Sequence, residues 1–101
     1  MNYKIVTLPA VRFDIIDATD FYKEISPKLA KQFLFRIREA KDYILNYPLG
    51  FQQKYSNVRM LSLRQFPYQI HYLIDEDAKR IVILAVVHSH RKPTNYLNRQ
   101  S

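Results

Sequence analysis

The stretch Ile81-Val82-Ile83-Leu84-Ala85-Val86-Val87 decides the fold. A continuously apolar run leaves no polar face, so it reads as a strand covered on both faces and flanked on both edges. It is also the longest purely apolar run in the chain, far short of a membrane span. One flank lies upstream. Tyr68, Ile70, Tyr72 and Ile74 alternate with Gln69, His71 and Leu73, the period of a half-buried strand. Residues 75–79, Asp-Glu-Asp-Ala-Lys, form the polar hairpin turn between the two strands. Residues 3–8, Tyr-Lys-Ile-Val-Thr-Leu, are the only strand left to supply the second flank.

Between the first strand and this hairpin the period changes. Pro9 ends the strand and can sit in the first turn of a helix. Val11, Ile15, Ala18, Tyr22 and Ile25 then recur at helical steps, with Arg12, Asp14, Asp17, Asp20, Lys23 and Glu24 on the side expected to face solvent. Ser26-Pro27 supplies an N-cap and a proline at the first position of a second helix. Its stripe is Leu29 or Ala30, Phe33, Ile37, Ala40, Ile44 and Tyr47, and Pro48 stops it. So short a junction predicts an antiparallel helical hairpin. Residues 49–57 read as a loop around Gly50, the only glycine, and residues 58–65 as a strand interrupted by Phe66-Pro67. The expected fold is α+β, β-α-α-β-β-β: a four-stranded, mainly antiparallel sheet with a helical hairpin on one face, as one domain over residues 1–101.

Length and composition support a packed domain. The 101 residues are 48% hydrophobic with 14% aromatic residues, enough for a core and unlike a disordered tail. There is no cysteine, which removes disulfides, thiolate zinc sites and a cysteine nucleophile, and suits a reducing cytoplasm. The N-terminus lacks the pattern of a signal peptide, so a cytoplasmic protein without a membrane partner is expected. The net charge is +7, and it is uneven. Residues 1–50 carry 8 basic and 6 acidic groups, and residues 51–101 carry 8 basic and 3 acidic ones. Those three acids stand together at Asp75-Glu76-Asp77. Basic residues can serve solubility alone, but a small domain with one cationic half suits an acidic partner or nucleic acid.

Three groups could carry chemistry. His88 and His90 are two apart in an extended segment and point the same way. A metal would need a third ligand, and none has suitable spacing, so no metal or cofactor is expected. Acid–base work is the better use of an imidazole here, and the plainer alternative is that both merely end a strand. Arg91, Lys92 and Pro93 with Tyr96 and Arg99 form a basic cluster with an interleaved aromatic, the composition that phosphate backbone and stacked bases call for. Basic C-terminal tails are common for duller reasons, although the proline implies a fixed turn. Lys54, Arg59 and Arg64 fall in residues 51–74, which contain no acid. On one continuous strand Arg59 and Arg64 would project from opposite faces, so both would not serve one site. Phe33, Phe35, Tyr43 and Phe66 read as core or groove lining. No glycine-rich phosphate loop or His-Glu-x-x-His motif is present. No pair of carboxylates stands out as acid and base, so glycosidase, NTPase and dehydrogenase readings lack support.

Three segments together resemble the RelE/ParE superfamily of toxins from type II toxin–antitoxin modules, including members known as plasmid stabilisation proteins. Residues 10–18, AVRFDIIDA, resemble its first helix. Residues 58–72, VRMLSLRQFPYQIHY, resemble its central hairpin with a Phe66-Pro67-Tyr68 entry. Residues 81–93 resemble its final strand and a His88-x-x-Arg91-x-Pro93 ending. The resemblance implies a growth inhibitor neutralised by a cognate antitoxin with an acidic or amphipathic segment, and no small-molecule substrate. It allows two activities. A RelE-like member is a ribosome-dependent mRNA endonuclease. In that case Lys54, Arg59, His90, Arg91 and Tyr96 would be catalytic, the histidine or tyrosine moving a proton while the cations hold phosphate charge. Gln69 stands where that pattern expects arginine. A ParE-like member inhibits DNA gyrase and has no nucleolytic site. Phe66-Pro67-Tyr68 and the C-terminal ending favour that branch, with Arg64, His88, Arg91, Lys92 and Arg99 as the target-binding or nucleic-acid-binding set. A non-toxic or decayed binding module, gripping nucleic acid or an acidic partner, is the reading from another class.

Overall fold

The computed structural model describes residues 3–92 and 94–100. The elements are β1 (Lys4–Thr7), α1 (Pro9–Ile25), α2 (Pro27–Asn46), β2 (Gln53–Tyr55), β3 (Val58–Ser62), β4 (Tyr68–Asp75) and β5 (Arg80–His88), followed by a 3₁₀ turn at Tyr96–Gln100. The sheet order is β1-β5-β4-β3-β2. β1 lies parallel to β5, from Lys4 opposite Arg80 to Thr7 opposite Ile83, and every other pairing is antiparallel. The apolar run 81–87 therefore lies within the strand between β1 and β4, and all seven residues are buried.

The helices begin and end where local chemistry requires. Pro9 occupies the start of α1. Ser26 serves both helices: its N–H donates to Tyr22 O at 2.9 Å, closing α1, and its Oγ accepts from Leu29 N at 3.4 Å, opening α2 ahead of Pro27. Val11, Ala18 and Tyr22 from α1 and Phe33, Ile37 and Ile44 from α2 pack on Ile70, Tyr72, Ile81, Ile83 and Val86 of the sheet. Phe33 is central, with ring centroids 5.2–5.3 Å from Tyr22, Phe66 and Tyr68.

Several expectations need correction. The sheet has five strands, because Gln53–Tyr55 of the expected loop pairs with β3 as β2. The strand expected over residues 58–65 stops at Ser62. Leu63 N–H then donates to Tyr68 O at 2.9 Å, and Gln65 takes a left-handed φ of 74°. Arg64 thus lies outside the strand, and the opposite-face argument no longer applies to it. Phe35 and Tyr43 are exposed, unlike Phe33 and Phe66. Ile25 and Tyr47, at the ends of their helical stripes, are exposed as well. Asp14 is not solvated: it is engaged in an ion pair with a side chain 11% exposed.

The sheet face away from the helices carries a second buried group: Val58, Leu73, Val82, Leu84, Ala85, Val87 and Tyr96. The β4–β5 register shifts between His71 and Tyr72, which face Ala85 and Ile83. Leu84 is the extra residue of this bulge, so Leu84 and Ala85 both turn to the second face. The C-terminal segment folds back over that face.

Candidate functional site

β3, β4 and β5 each present alternate residues to the face away from the helices. Met60, Gln69, His71 and Val87 point there, while Arg59, Ile70, Tyr72 and Val86 point to the other side. Where the C-terminal segment crosses this face, it leaves a cavity of about 420 Å³. Its floor is Tyr55, Met60, His71, Val87 and Tyr96, and its rim carries Lys54, His88, Arg91 and Lys92. No carboxylate lines it. An apolar, aromatic floor under a cationic rim suits a partner that offers anionic groups together with planar or apolar surface.

The floor has its own hydrogen-bond network. The Tyr55 hydroxyl lies 3.0 Å from His71 Nδ1 and accepts from Tyr96 N–H at 3.3 Å. The His71 ring meets the Tyr96 ring edge-on at 5.3 Å. Burial pushes His71 below the ordinary imidazole range and Tyr55 above the ordinary phenol range. His71 is therefore a neutral, structural member of the floor.

On the rim, His88 stacks edge-on against Tyr68 with centroids 5.2 Å apart and lies 5.3 Å from the His90 ring. His88 Nδ1 accepts from the His90 backbone N–H at 3.1 Å. Arg91 N–H donates to His88 O at 3.0 Å, so the chain turns sharply as β5 ends. Among the described residues no group of three metal-ligating side chains converges.

The structure separates the residues singled out in the sequence. Lys54, His88, Arg91, Lys92 and Tyr96 meet at the cavity. His90 is exposed beside it and does not line it. Arg59 lies on the opposite face, where its Nη1 donates to Phe51 O at 2.6 Å and holds the loop after α2. Arg64 stands apart, 3.6 Å from Glu39 of α2. Arg99 is bound to Asp14 through Nη1–Oδ2 at 2.7 Å and Nη2–Oδ1 at 3.1 Å. Pro93 lies outside the described residues. Sequence reasoning missed three participants, Tyr55, His71 and Asp14. His71 could have been flagged, because it shares its strand face with Gln69 and Leu73. Nothing local marks Asp14, whose partner is 85 residues away.

The family model described as the ParE toxin of the type II toxin–antitoxin system parDE matches residues 5–93. No curated protein matches the chain. Among solved structures, a chain of the chromosomal ParDE toxin–antitoxin system from P. aeruginosa is similar at a TM-score of 0.72 and 21% identity, covering 85% of this chain and 95% of that one. A chain of the RelBE2 toxin–antitoxin complex from Mycobacterium tuberculosis is similar at a TM-score of 0.57 and 18% identity, covering 87% and 99%. At these identities the structural likeness shows the shared fold. Together with the match over residues 5–93, it means that the chain belongs to the ParE toxin family of type II toxin–antitoxin systems.

Proposed function

We propose that this toxin inhibits growth in the cytoplasm by ParE-like action on DNA gyrase, and that a cognate antitoxin with an acidic or amphipathic segment neutralises it. Arg91 and Lys92, with His88 beside them, are the surface that engages the gyrase–DNA target. The observation that carries this reading is the place of Arg59. A phosphodiester-cleaving site needs its cations and proton carriers around one reacting phosphate. Arg59 points to the other side of the sheet and is committed to Phe51 O. Gln69 stands in the cavity where a further cation would be needed.

One observation favours a second reading, ribosome-dependent mRNA cleavage: Lys54, Arg91 and Tyr96 do share the cavity. Against it, Tyr96 is only 6% exposed, and its ring is packed on His71.

The test is expression without antitoxin, followed by two assays. The gyrase reading expects growth arrest, a DNA-damage response, intact mRNA and inhibition of gyrase supercoiling that Arg91→Ala weakens by about tenfold. Ribosome-dependent cleavage abolished by Arg91→Ala and by Tyr96→Phe would overturn it. Harmless expression with salt-dependent nucleic-acid binding would leave a non-toxic binding module.

A further inference from the structure

β1 ends at Thr7, opposite Ile83, while β5 runs on to His88. The outer edge of β5 therefore loses its partner strand part-way along. Two side chains complete it. Arg99 Nη1 donates to Leu84 O at 2.9 Å, and Asp14 Oδ2 accepts from Val86 N–H at 3.0 Å. The same two side chains form the bidentate pair described above, so a charge pair stands where a strand would otherwise continue. It joins α1, β5 and the C-terminal 3₁₀ turn at one point.

A five-residue 3₁₀ turn has no stability of its own. This one is held by the Arg99–Asp14 pair at one end and by Tyr96 on Tyr55 and His71 at the other. Arg91 and Lys92 lie between His88, fixed in β5, and Tyr96, fixed by that docking. Pinning both ends narrows the positions that the two cations can take.

We propose that residues 94–100 are a latch, that Asp14 is the positioning residue that holds it shut, and that the closed latch places Arg91 and Lys92 for the target. The placement for a target rests on the gyrase reading; the latch itself does not. His71 supplies an independent readout, because the latch covers it. The charged and titratable groups around it are Tyr55 and Tyr96 in contact and Lys54, His88, Arg91 and Lys92 around the same cavity.

The experiment compares Arg99→Gln, Asp14→Asn and Arg99→Lys with the unsubstituted protein at a temperature where circular dichroism shows each folded. Asp14→Asn keeps an acceptor for Val86 N–H and serves if Arg99→Gln does not fold. Imidazole NMR follows His71, and a gyrase supercoiling assay follows function. In Arg99→Gln and Asp14→Asn the Tyr96–His71 cross-peaks should vanish and the His71 midpoint should rise toward the ordinary value of 6.5. The half-inhibitory concentration should rise by about tenfold, and Arg99→Lys should restore part of both. Cross-peaks and midpoint unchanged in both variants would overturn the latch. An opened latch with undiminished inhibition would overturn the positioning role. If the unsubstituted protein leaves gyrase active while the His71 readout moves as expected, the latch stands and the gyrase reading falls.

Discussion

His71 shows how one buried imidazole ties three distant elements together. It is 7% exposed, hydrogen-bonds with Tyr55 and packs against Tyr96, so β4, β2 and the C-terminal turn meet on one ring. Burial disfavours its charged form, and the unfolded chain therefore takes up a proton at higher pH than the folded one. Because the unfolded state then binds more protons, stability rises with pH across that window. We expect unfolding free energy to be steady above about pH 7, to fall as pH drops below about 6.5, and to level off once the folded imidazole also titrates. Denaturant unfolding at pH 7.5 and 5.5 measures the drop. His71→Gln should remove most of it; an undiminished drop in that variant would assign it to other groups.

At the scale of elements, the ladder could be read where hydrophobic period was strong and not where tertiary pairing alone made the structure. The run 81–87 revealed β5, and with it the need for β1 as a neighbour. β2 escaped because Gln53-Lys54-Tyr55 carries no alternating pattern. It is a strand because the chain turns at Ser56, with a φ of 47°, and Tyr55 then faces Val58. Helical period placed Phe33 correctly, while Phe35 was read with it only as core or groove lining. The two residues separate because α2 buries the face centred on Ala30, Phe33 and Ile37, and Phe35 projects on the other side, 54% exposed. That difference is measurable. Phe33→Ala removes the ring between Tyr22, Phe66 and Tyr68 and should cost about 3–5 kcal/mol. Phe35→Ala should stay within about 0.5 kcal/mol. Equal losses in chemical denaturation would contradict the packing of α2. The candidate site was legible in five of its members, Lys54, His88, Arg91, Lys92 and Tyr96. Arg59 stands apart from them because strand parity decides which face a side chain serves. Asp14 was read as solvated, and its pairing with Arg99 went unseen, since a pair 85 residues apart leaves no local trace.

For the whole molecule, the net charge of +7 divides by face as well as by sequence. Of the second-half cations, Arg59 is turned to backbone carbonyls, Arg64 to Glu39, Lys79 to Glu76, Arg80 to Asp75 and Arg99 to Asp14. Lys54, Arg91 and Lys92 remain around a cavity with no carboxylate in its lining. The charge available to a polyanion is thus about three positive groups at one site. That small number sets the salt dependence. Three phosphates neutralised give a slope of log affinity against log salt of about −2.7. If the proposed target is DNA-bound gyrase, affinity for it should then fall roughly 40-fold between 50 and 200 mM salt. Arg91→Ala should reduce the steepness by about one, because it removes one phosphate contact. Arg64→Ala should leave the slope unchanged, since that side chain lies away from the cavity beside Glu39. Titration of labelled toxin onto gyrase–DNA at 50, 100 and 200 mM KCl distinguishes the two. A slope near −7 would mean that the paired cations also engage the target, and equal slopes for both variants would deny the cavity rim its special role.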